Sequence, residues 1–256
     1  MSVKTWICGL SFLGLLSCSQ PQGYCQVAQQ QGQAHFAVYE AMVPMPAGCE
    51  GEALTTERIG FETYQLPGQD EISIAWRTET LQERFDETRL EEAWEYHETQ
   101  RKSLSLNVRA DYSSKPDAEN RCHILDNSNP AEPEKFRLSV HFEELQKEAK
   151  RLPAVTYRYE WRKMVVYSMP ASPGQLVEGE VTFSSTQEGV ECKGDYRFVA
   201  LWPAYKCETD EDCVPSERGR EGSPLNPAFA GALKCHSAGY CTLTRPPAEL
   251  IGELSK

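Results

Sequence analysis

Apolar and polar residues alternate along much of this 256-residue chain, and a period of two restricts the folds open to it. Between residues 136 and 142, for example, every second residue is apolar and the residues between are polar. One face of such a strand is buried and the other is exposed to solvent, which is typical of antiparallel sheets. We predict strands at residues 35–42, 59–64, 72–76, 104–112, 136–142, 155–161, 177–183 and 196–202. The alternation thus predicts a mainly β fold, either an antiparallel β-sandwich or a barrel-like domain.

Two stretches depart from the alternation and favour helix. Residues 81–102 are rich in Glu, Arg and Gln and contain no Gly or Pro. An extension of a strand is the alternative there, because the apolar residues do not form one clean helical stripe. Residues 143–152 form the second predicted helix, which Pro153 ends because proline disfavours helix in the residue before it.

Ten cysteines indicate how the fold is held together. Cys8 and Cys18 lie in the amino-terminal segment, and an even number remains after it, as complete disulfide pairing in an oxidising compartment requires. We expect disulfides at Cys25, Cys49, Cys122, Cys192, Cys207, Cys213, Cys235 and Cys241.

Sequence proximity predicts one pairing among the many connectivities open to these cysteines. It predicts the bridges Cys25–Cys49 and Cys122–Cys192 and pairing of the last four cysteines among themselves. A structural zinc site is the alternative for the last four. Paired thiolate ligands of zinc usually have about two to four residues between them, and the pairs here are spaced more widely. We therefore expect no metal and no cofactor.

The amino terminus has the organisation of an export signal. One cation, Lys4, precedes an uncharged apolar run from Trp6 to Leu16. This run is too short to span a hydrocarbon core of about 30 Å, and its length is typical of a signal peptide. We predict that residues 1–17 are a signal peptide and that the chain is exported.

The end of this run, Leu15-Leu16-Ser17-Cys18, resembles the lipobox of bacterial lipoproteins, in which a small residue precedes a lipidated cysteine. The resemblance implies that Cys18 becomes the first residue of the mature chain and carries the lipid anchor. Ser19 stands where lipoproteins of the inner membrane often have Asp, which implies an outer-membrane lipoprotein facing the periplasm or the cell surface. Ordinary secretory cleavage near Ser17 or Ser19 and a retained amino-terminal helix are the alternatives.

Composition divides the mature chain into four parts. Residues 18–34 hold many glutamines and few apolar residues, which predicts a flexible, lipid-anchored spacer pinned in part by Cys25, or else a loosely ordered first strand. The alternating strands predict an antiparallel β domain at residues 35–203. The composition then changes to Cys, Pro, Gly and charged residues, which predicts a disulfide-rich module at 204–245 and a tail at 246–256.

The carboxy-terminal module begins with the pattern Cys-x-x-Asp-x-Asp-Cys at residues 207–213. This pattern resembles the opening of small disulfide modules in exported proteins, including cysteine-rich lipoproteins of myxobacteria and their relatives. The resemblance implies a scaffold and names no activity. Asp210 and Asp212 either bind calcium or cap a turn, and the absence of the glycine that an EF-hand loop requires favours the cap.

Charge and motifs limit the possible functions. A net charge of -12 and a pI near 5.0 argue against nucleic-acid binding. The mature region contains no G-x-S-x-G, H-E-x-x-H, P-loop or G-x-G-x-x-G motif. We expect His141 to be exposed on a strand, Glu178 and Glu180 to share one side of a strand, and the strand tryptophans to pack in the core.

These observations predict an exported, lipid-anchored protein of the bacterial cell envelope with a noncatalytic binding or scaffolding role. The expected partners are the membrane, through the lipid on Cys18, and another envelope protein or a glycan. The alternatives are an envelope hydrolase acting on glycan or peptide, and a secreted binding module without lipid. A deep pocket with two converging acids, or a Ser/His/Asp cluster, would favour the hydrolase.

Overall fold

The structure is a computed structural model that describes residues 24–30, 32–65, 72–88, 105–126, 131–147, 150–216 and 222–254. The predicted signal peptide and Cys18 lie outside these residues. The strands are β1 His35–Val43, β2 Thr56–Gln65, β3 Ile72–Thr78, β4 Val108–Tyr112, β5 Arg121–Leu125, β6 Lys135–Phe142, β7 Leu145–Lys147, β8 Lys150–Leu152, β9 Val155–Met169, β10 Ser172–Gln187, β11 Val190–Leu201, β12 Leu233–Cys235 and β13 Cys241–Leu243. Helix α1 spans Glu79–Thr88 and helix α2 spans Pro247–Leu254, and short 3-10 helices lie at Glu50–Glu52, Asp210–Cys213 and Pro227–Phe229. Over the described residues, no helix has the length and apolar character needed to cross a bilayer.

One antiparallel sheet dominates the described chain, with the strand order β10-β11-β1-β2-β3-β4-β5-β9-β6. β9 also pairs with β10 along almost its whole length, so the sheet closes on itself. The other edge of β9 is shared by β6, which pairs with its beginning, and β5, which pairs with its end. The predicted mainly β, antiparallel fold is confirmed, and the closure matches the barrel-like alternative rather than the sandwich.

Large side chains fill the interior of the closed sheet, because the alternation puts them on one face of each strand. Trp76 and Trp161 are almost completely buried and meet edge to face, with ring centroids 5.6 Å apart. Tyr159 stacks on Trp161 at 4.7 Å. Other buried side chains of this core include Ile59, Ile74, Phe142, Phe183, Tyr196 and Phe198. Trp76 and Trp161 therefore serve packing, as the sequence predicts.

Helix α1 follows β3 directly and packs on the same core. Leu81 and Phe85 are its buried residues in this core, and their spacing of four puts both on one face of the helix. The helix predicted at 81–102 is confirmed where it overlaps α1. Residues 89–104, which contain the alternative strand, lie outside the described part of the chain.

The second predicted helix, at residues 143–152, is wrong. This segment forms an antiparallel hairpin of β7 and β8, with Leu145 opposite Leu152. Leu152 is buried, so contacts with the rest of the protein stabilise the hairpin. Helix propensities differ by less than about 1 kcal/mol between ordinary residues, and packing readily overrides them in so short a segment.

The described part of the predicted spacer, residues 24–30 and 32–34, is pinned to the closed sheet at Cys25. Cys25 and Val27 belong to the core of the closed sheet, and Val27 is only 4% exposed. The backbone N–H of Cys25 donates to the carbonyl oxygen of Ser114 at 3.1 Å. Two apolar side chains and backbone hydrogen bonds thus fix a segment whose composition alone indicates disorder.

Gly174 of β10 allows this segment to approach so closely. Its backbone has φ +71°, and a Cβ atom at this position would lie 2.3 Å from the carbonyl oxygen of Gln26. The carbonyl oxygen of Gly174 accepts the N–H of Ala28 at 2.8 Å. Glycine is therefore required here both for the backbone conformation and for the space above it.

The carboxy-terminal module packs on the outer face of the closed sheet. Its strands β12 and β13 form a hairpin, and α2 follows. A second core joins Phe229 and Ile251 of this region to Leu176 and Leu201 of the sheet. The predicted tail, residues 246–256, therefore contains a helix with a buried side.

Candidate functional site

The cysteines of the described chain are all bonded in disulfides. The bonds join Cys25 to Cys122, Cys49 to Cys192, Cys207 to Cys235 and Cys213 to Cys241, with Cα atoms 5.5 to 5.8 Å apart. The last four cysteines pair among themselves, as the sequence predicts. The predicted bridges Cys25–Cys49 and Cys122–Cys192 are wrong.

Strand order explains why proximity in sequence fails for the first four cysteines. β1 lies beside β11, so the loop after β1 brings Cys49 to Cys192. The segment before β1 packs near β5, which brings Cys25 to Cys122. Neighbours in a closed sheet are set by strand order, so cysteines distant in sequence become neighbours.

Cys207, Cys213 and Cys241 lie close enough for a metal site, with their sulfur atoms within 4.8 Å of one another. Each of these sulfurs is bonded to another cysteine. Zinc binds thiolates, and a sulfur in a disulfide is not one. The cluster therefore consists of two adjacent disulfides, which stabilise a module too small for a large core.

Asp210 and Asp212 accept hydrogen bonds from the backbone. Oδ1 of Asp210 accepts the N–H of Cys235 at 2.8 Å. Oδ2 of Asp212 accepts the N–H groups of Glu208 and Thr209 at 2.8 and 2.9 Å, and these bonds lower the pKa of Asp212. The geometry matches the capping alternative, in which the carboxylates stabilise turns.

A groove of about 690 Å³ lies between the closed sheet and the carboxy-terminal module. We call it the module groove. Residues of β1, β10 and β11 line one side, and residues of β12, β13 and the start of α2 line the other. Phe36 of β1 stacks on Tyr240 at 4.7 Å between ring centroids, which holds the module against the sheet.

Side chains of both charges line the module groove. Glu178 and Glu180 lie on one side of β10, as predicted, and both line the groove. Nζ of Lys163 donates to Glu180 at 2.9 Å, and the guanidinium of Arg197 donates to Glu40 at 3.0 Å. Glu180 thus forms an ion pair on its own side of the groove. The lining combines charged side chains of both signs with apolar residues such as Val199 and Leu243, which suits a partner with both polar and apolar groups.

A Ser/His/Asp cluster lies between β4 and β5, but its contacts differ from those of a catalytic triad. Nε2 of His123 lies 3.0 Å from Oδ2 of Asp117. The Ser113 hydroxyl donates to the backbone carbonyl of His123 and accepts its backbone N–H, both at 2.9 Å. In a triad the serine hydroxyl hydrogen-bonds the imidazole. Burial raises the pKa of Asp117, but hydrogen bonds from His123 and Arg121 outweigh this and lower the pKa to about 2.

The buried carboxylate of Glu57 is a residue that sequence reasoning missed. Glu57 is 5% exposed, accepts a hydrogen bond from the Tyr39 hydroxyl on Oε1, and accepts one from Oγ1 of Thr80 on Oε2 at 3.0 Å. Burial raises the pKa of Glu57 to about 7. The alternation contains the signal that would have found it, because Glu57 shares a strand face with Ile59 and Phe61.

The histidines lie in separate environments. His35 is buried, burial lowers its pKa to about 4, and its Nε2 lies 3.3 Å from the carbonyl oxygen of Gly174. His141 is exposed on β6, as predicted, with Nδ1 2.8 Å from Oγ1 of Thr156. His97 lies outside the described residues. The contacts of His35 and His141 hold strands and loops together.

The fold and its disulfides define an antiparallel β protein of the kind that persists in oxidising compartments. A family model described as MlpA matches residues 33–203, more than half of the chain, so this protein belongs to the MlpA family. The matched residues contain all strands from β1 to β11. The family name is that of a myxobacterial-type lipoprotein, which indicates a lipoprotein-type envelope protein. No curated protein and no solved structure matches the chain.

Proposed function

We propose that this protein is an exported outer-membrane lipoprotein, anchored through Cys18, whose folded part binds or scaffolds another component of the cell envelope. Membership of the MlpA family and the lipobox-like sequence before Cys18 support the anchor. The disulfides support export, because cytosolic thiols are kept reduced.

The observation that carries this proposal is the disulfide between Cys25 and Cys122. Cys25 follows Cys18 by seven residues. An oxidised cysteine so close to the anchor supports an oxidising space directly beyond the membrane surface, as in the periplasm or outside the cell. The bond also ties the anchor segment covalently to the closed sheet.

The contacts of the polar groups support a noncatalytic role. Glu57 is enclosed in the sheet and bonded to Tyr39 and Thr80. The Ser113 hydroxyl is engaged by the backbone of His123. These groups hold strands and loops together, whereas the module groove presents charged side chains to a partner. A segment of an envelope protein or a glycan has the mixed polar and apolar surface that this groove would accept.

Mass spectrometry of the protein extracted from membranes tests the anchor. We expect a mature chain that begins at Cys18 and carries the added mass of acyl chains, and we expect the Cys18→Ala variant in the soluble fraction. Cys8→Ala is the matched control, because it changes a cysteine within the predicted signal peptide and should leave the anchor in place. A full-length chain with Met1 intact and free thiols would contradict export.

Charge reversal in the module groove tests the binding role. Lys234→Glu combined with Arg197→Glu should abolish the crosslinking of an envelope component to the anchored protein in intact cells, because both cations line the groove. Lys193→Glu, on β11 outside the groove, should leave the crosslink unchanged. Retention of the same crosslink in the groove variant contradicts binding there. Hydrolysis of glycan or peptide by the purified protein contradicts the noncatalytic role.

A further inference from the structure

The described chain starts at Tyr24, at one end of the closed sheet, which we call the proximal end. The proximal end is defined by Tyr24, Tyr64, Ile72, Ser114 and Lys115, which together line an open hollow of about 700 Å³. β2 ends here and β3 begins here, so the hollow lies at the rim of the sheet. Tyr24, the first described residue after Cys18, therefore lies at this rim.

Three contacts fix Tyr24 and its neighbour at the proximal end. Cys25 is bonded to Cys122, and its backbone N–H donates to the carbonyl oxygen of Ser114 at 3.1 Å. The hydroxyl of Ser168 donates to the carbonyl oxygen of Tyr24 at 3.3 Å. Because a covalent bond and backbone hydrogen bonds hold this segment, the exit point of the chain moves with the sheet.

The chain between Cys18 and Tyr24 is short compared with the length of the closed sheet. Six residue steps span at most about 22 Å, so a lipid on Cys18 holds Tyr24 within that distance of the bilayer. β9 has 15 residues, which with the usual strand tilt separates the two ends of the sheet by about 35–40 Å. The opposite end, which we call the distal end, carries the exposed residues Met42, Val43 and Val190. The distal end therefore cannot face the bilayer while the lipid on Cys18 is inserted in that bilayer.

The proximal end presents aromatic rings beside cations. Tyr24 is 73% exposed and Tyr64 is 39% exposed, and the guanidinium carbon of Arg109 lies 5.4 Å from the ring centroid of Tyr64. Lys115 is exposed beside the same hollow. Tyrosine rings with flanking Lys or Arg are typical of the membrane–water interface, where the ring sits among the headgroups.

Acidic residues also lie at the proximal end. Asp117 and Glu119 form ion pairs with Arg121, both at 2.9 Å. Glu62 accepts a hydrogen bond from the Tyr64 hydroxyl. The proximal end is thus not a strongly basic surface, and its contact with lipid would depend on the anchor and the aromatic rings rather than on anionic headgroups.

We infer that the proximal end lies against the lipid bilayer, with the rings of Tyr24 and Tyr64 at the level of the headgroups. This inference rests on the proposed lipid anchor at Cys18. The distal end and the loop that carries Cys49 then point away from the membrane, toward the space in which a partner would approach.

Amine labelling of two exposed lysines tests the orientation. Lys115 lies at the proximal end, and Lys193 lies on β11 next to Cys192, near the distal end. The lipidated full chain is reconstituted in phosphatidylcholine vesicles and labelled with a sulfonated, membrane-impermeant succinimidyl ester. We expect the labelling rate of Lys115 relative to Lys193 to be about fivefold lower than in the unlipidated Cys18→Ala protein, because the headgroups cover the proximal end. An unchanged ratio, or selective protection of Lys193, overturns the inference.

A second experiment distinguishes failure of the proposed lipidation at Cys18 from failure of the proposed orientation. If mass spectrometry finds Cys18 unmodified, the proposed lipidation is wrong. The same chain is then coupled through the Cys18 thiol to a maleimide lipid in the vesicles, and the labelling ratio tests the orientation without the natural lipid. Protection of Lys115 in that arm supports the inference, and equal labelling overturns it.

A double substitution separates the aromatic contact from the tether. Tyr24→Ser with Tyr64→Ser should raise the relative labelling of Lys115 on vesicles about threefold, because two interfacial rings are lost. Val190→Ser is the matched control, since Val190 is 63% exposed at the distal end. It should leave the ratio unchanged. If both variants behave like the parent protein, the rings are not at the headgroups.

Discussion

The hydroxyl of Tyr39 donates a hydrogen bond to the carboxylate of Glu57 inside the closed sheet. The two residues stand on neighbouring strands, β1 and β2, which pair antiparallel. Oγ1 of Thr80, at the start of α1, donates to the other carboxylate oxygen at 3.0 Å. One buried acid therefore connects two strands and the helix that follows β3.

Replacement of Glu57 should change how stability depends on pH. Burial raises the pKa of Glu57 to about 7 in the folded state, from 4.5 in the absence of that environment. Between these values the folded state holds a proton that the unfolded state lacks, so stability decreases as the pH rises through this window, by at most about 3 kcal/mol. Below the window both states are protonated and this loss is absent.

We expect Glu57→Gln to lose most of this pH dependence, because glutamine fills the same space without titrating. Urea unfolding at several pH values between 4.5 and 7 measures the free energy of unfolding. Glu62→Gln is the control, since Glu62 is exposed on the same strand. An equal slope in the parent protein and in Glu57→Gln would show that Glu57 does not titrate in this range.

The strands were predictable where alternation is strong, and they were missed where it is short or shifted. β5 contributes only Cys122 and Ile124 to the core, which is too few residues to reveal a period. β9 continues past residue 161, where the predicted strand ends. The prediction stops there because a bulge at Lys163, with φ +51°, shifts the alternation of apolar and polar residues. Trp161 and Met164 therefore both face the interior, three residues apart.

The closure of the sheet, and the disulfides that depend on this closure, could not be predicted from the sequence for a physical reason. Alternation reports which face of a strand is buried, but strand order depends on contacts between distant segments. The bridge Cys49–Cys192 spans 143 residues. The pairing of the last four cysteines among themselves could be predicted, because a small module offers them few other partners.

Loss of the Cys25–Cys122 bridge should destabilise the protein more than loss of Cys207–Cys235. The bonds close loops of 97 and 28 residues. The entropy that the unfolded chain loses when a loop is closed grows with the logarithm of the loop length. We expect the double variant Cys25→Ser/Cys122→Ser to lose about 1 kcal/mol more free energy of unfolding than Cys207→Ser/Cys235→Ser. Urea titration of both variants gives the comparison. The reverse order would show that strain or residual unfolded structure dominates the loop entropy.

Substitution of Gly174 should release the segment before β1. Gly174→Ala places a Cβ atom 2.3 Å from the carbonyl oxygen of Gln26 at φ +71°. Gly189→Ala is the matched control, because Gly189 has φ +82° and nothing within 4 Å of the added Cβ. We expect about 1 kcal/mol of destabilisation for the control, and about 2–3 kcal/mol more for Gly174→Ala. Hydrogen exchange should show faster exchange of the Cys25 and Ala28 amides in Gly174→Ala, and equal exchange in both variants would refute the packing role.

Asn226 connects the carboxy-terminal module to the turn between β9 and β10. Its Nδ2 donates to the carbonyl oxygen of Ala171 at 2.6 Å and to Oε1 of Gln175 at 2.7 Å, while its Oδ1 accepts the N–H of Ala228 at 2.9 Å. Asn226→Ala removes all of these bonds and leaves backbone groups without a partner at the interface. We expect a loss of about 1–3 kcal/mol in the free energy of unfolding.

The loss should be concentrated in the module, because Asn226 contributes nothing to the interior of the closed sheet. Hydrogen exchange of Asn226→Ala should therefore accelerate in β12 and β13 and stay unchanged in β10. Asn107→Ala is the control, since Oδ1 of Asn107 accepts a hydrogen bond from Nε of Arg77 at 2.7 Å on the exposed side of the sheet. Uniform acceleration across both parts would mean that the module and the closed sheet unfold as one unit, and the module groove would then be as rigid as the sheet beneath it.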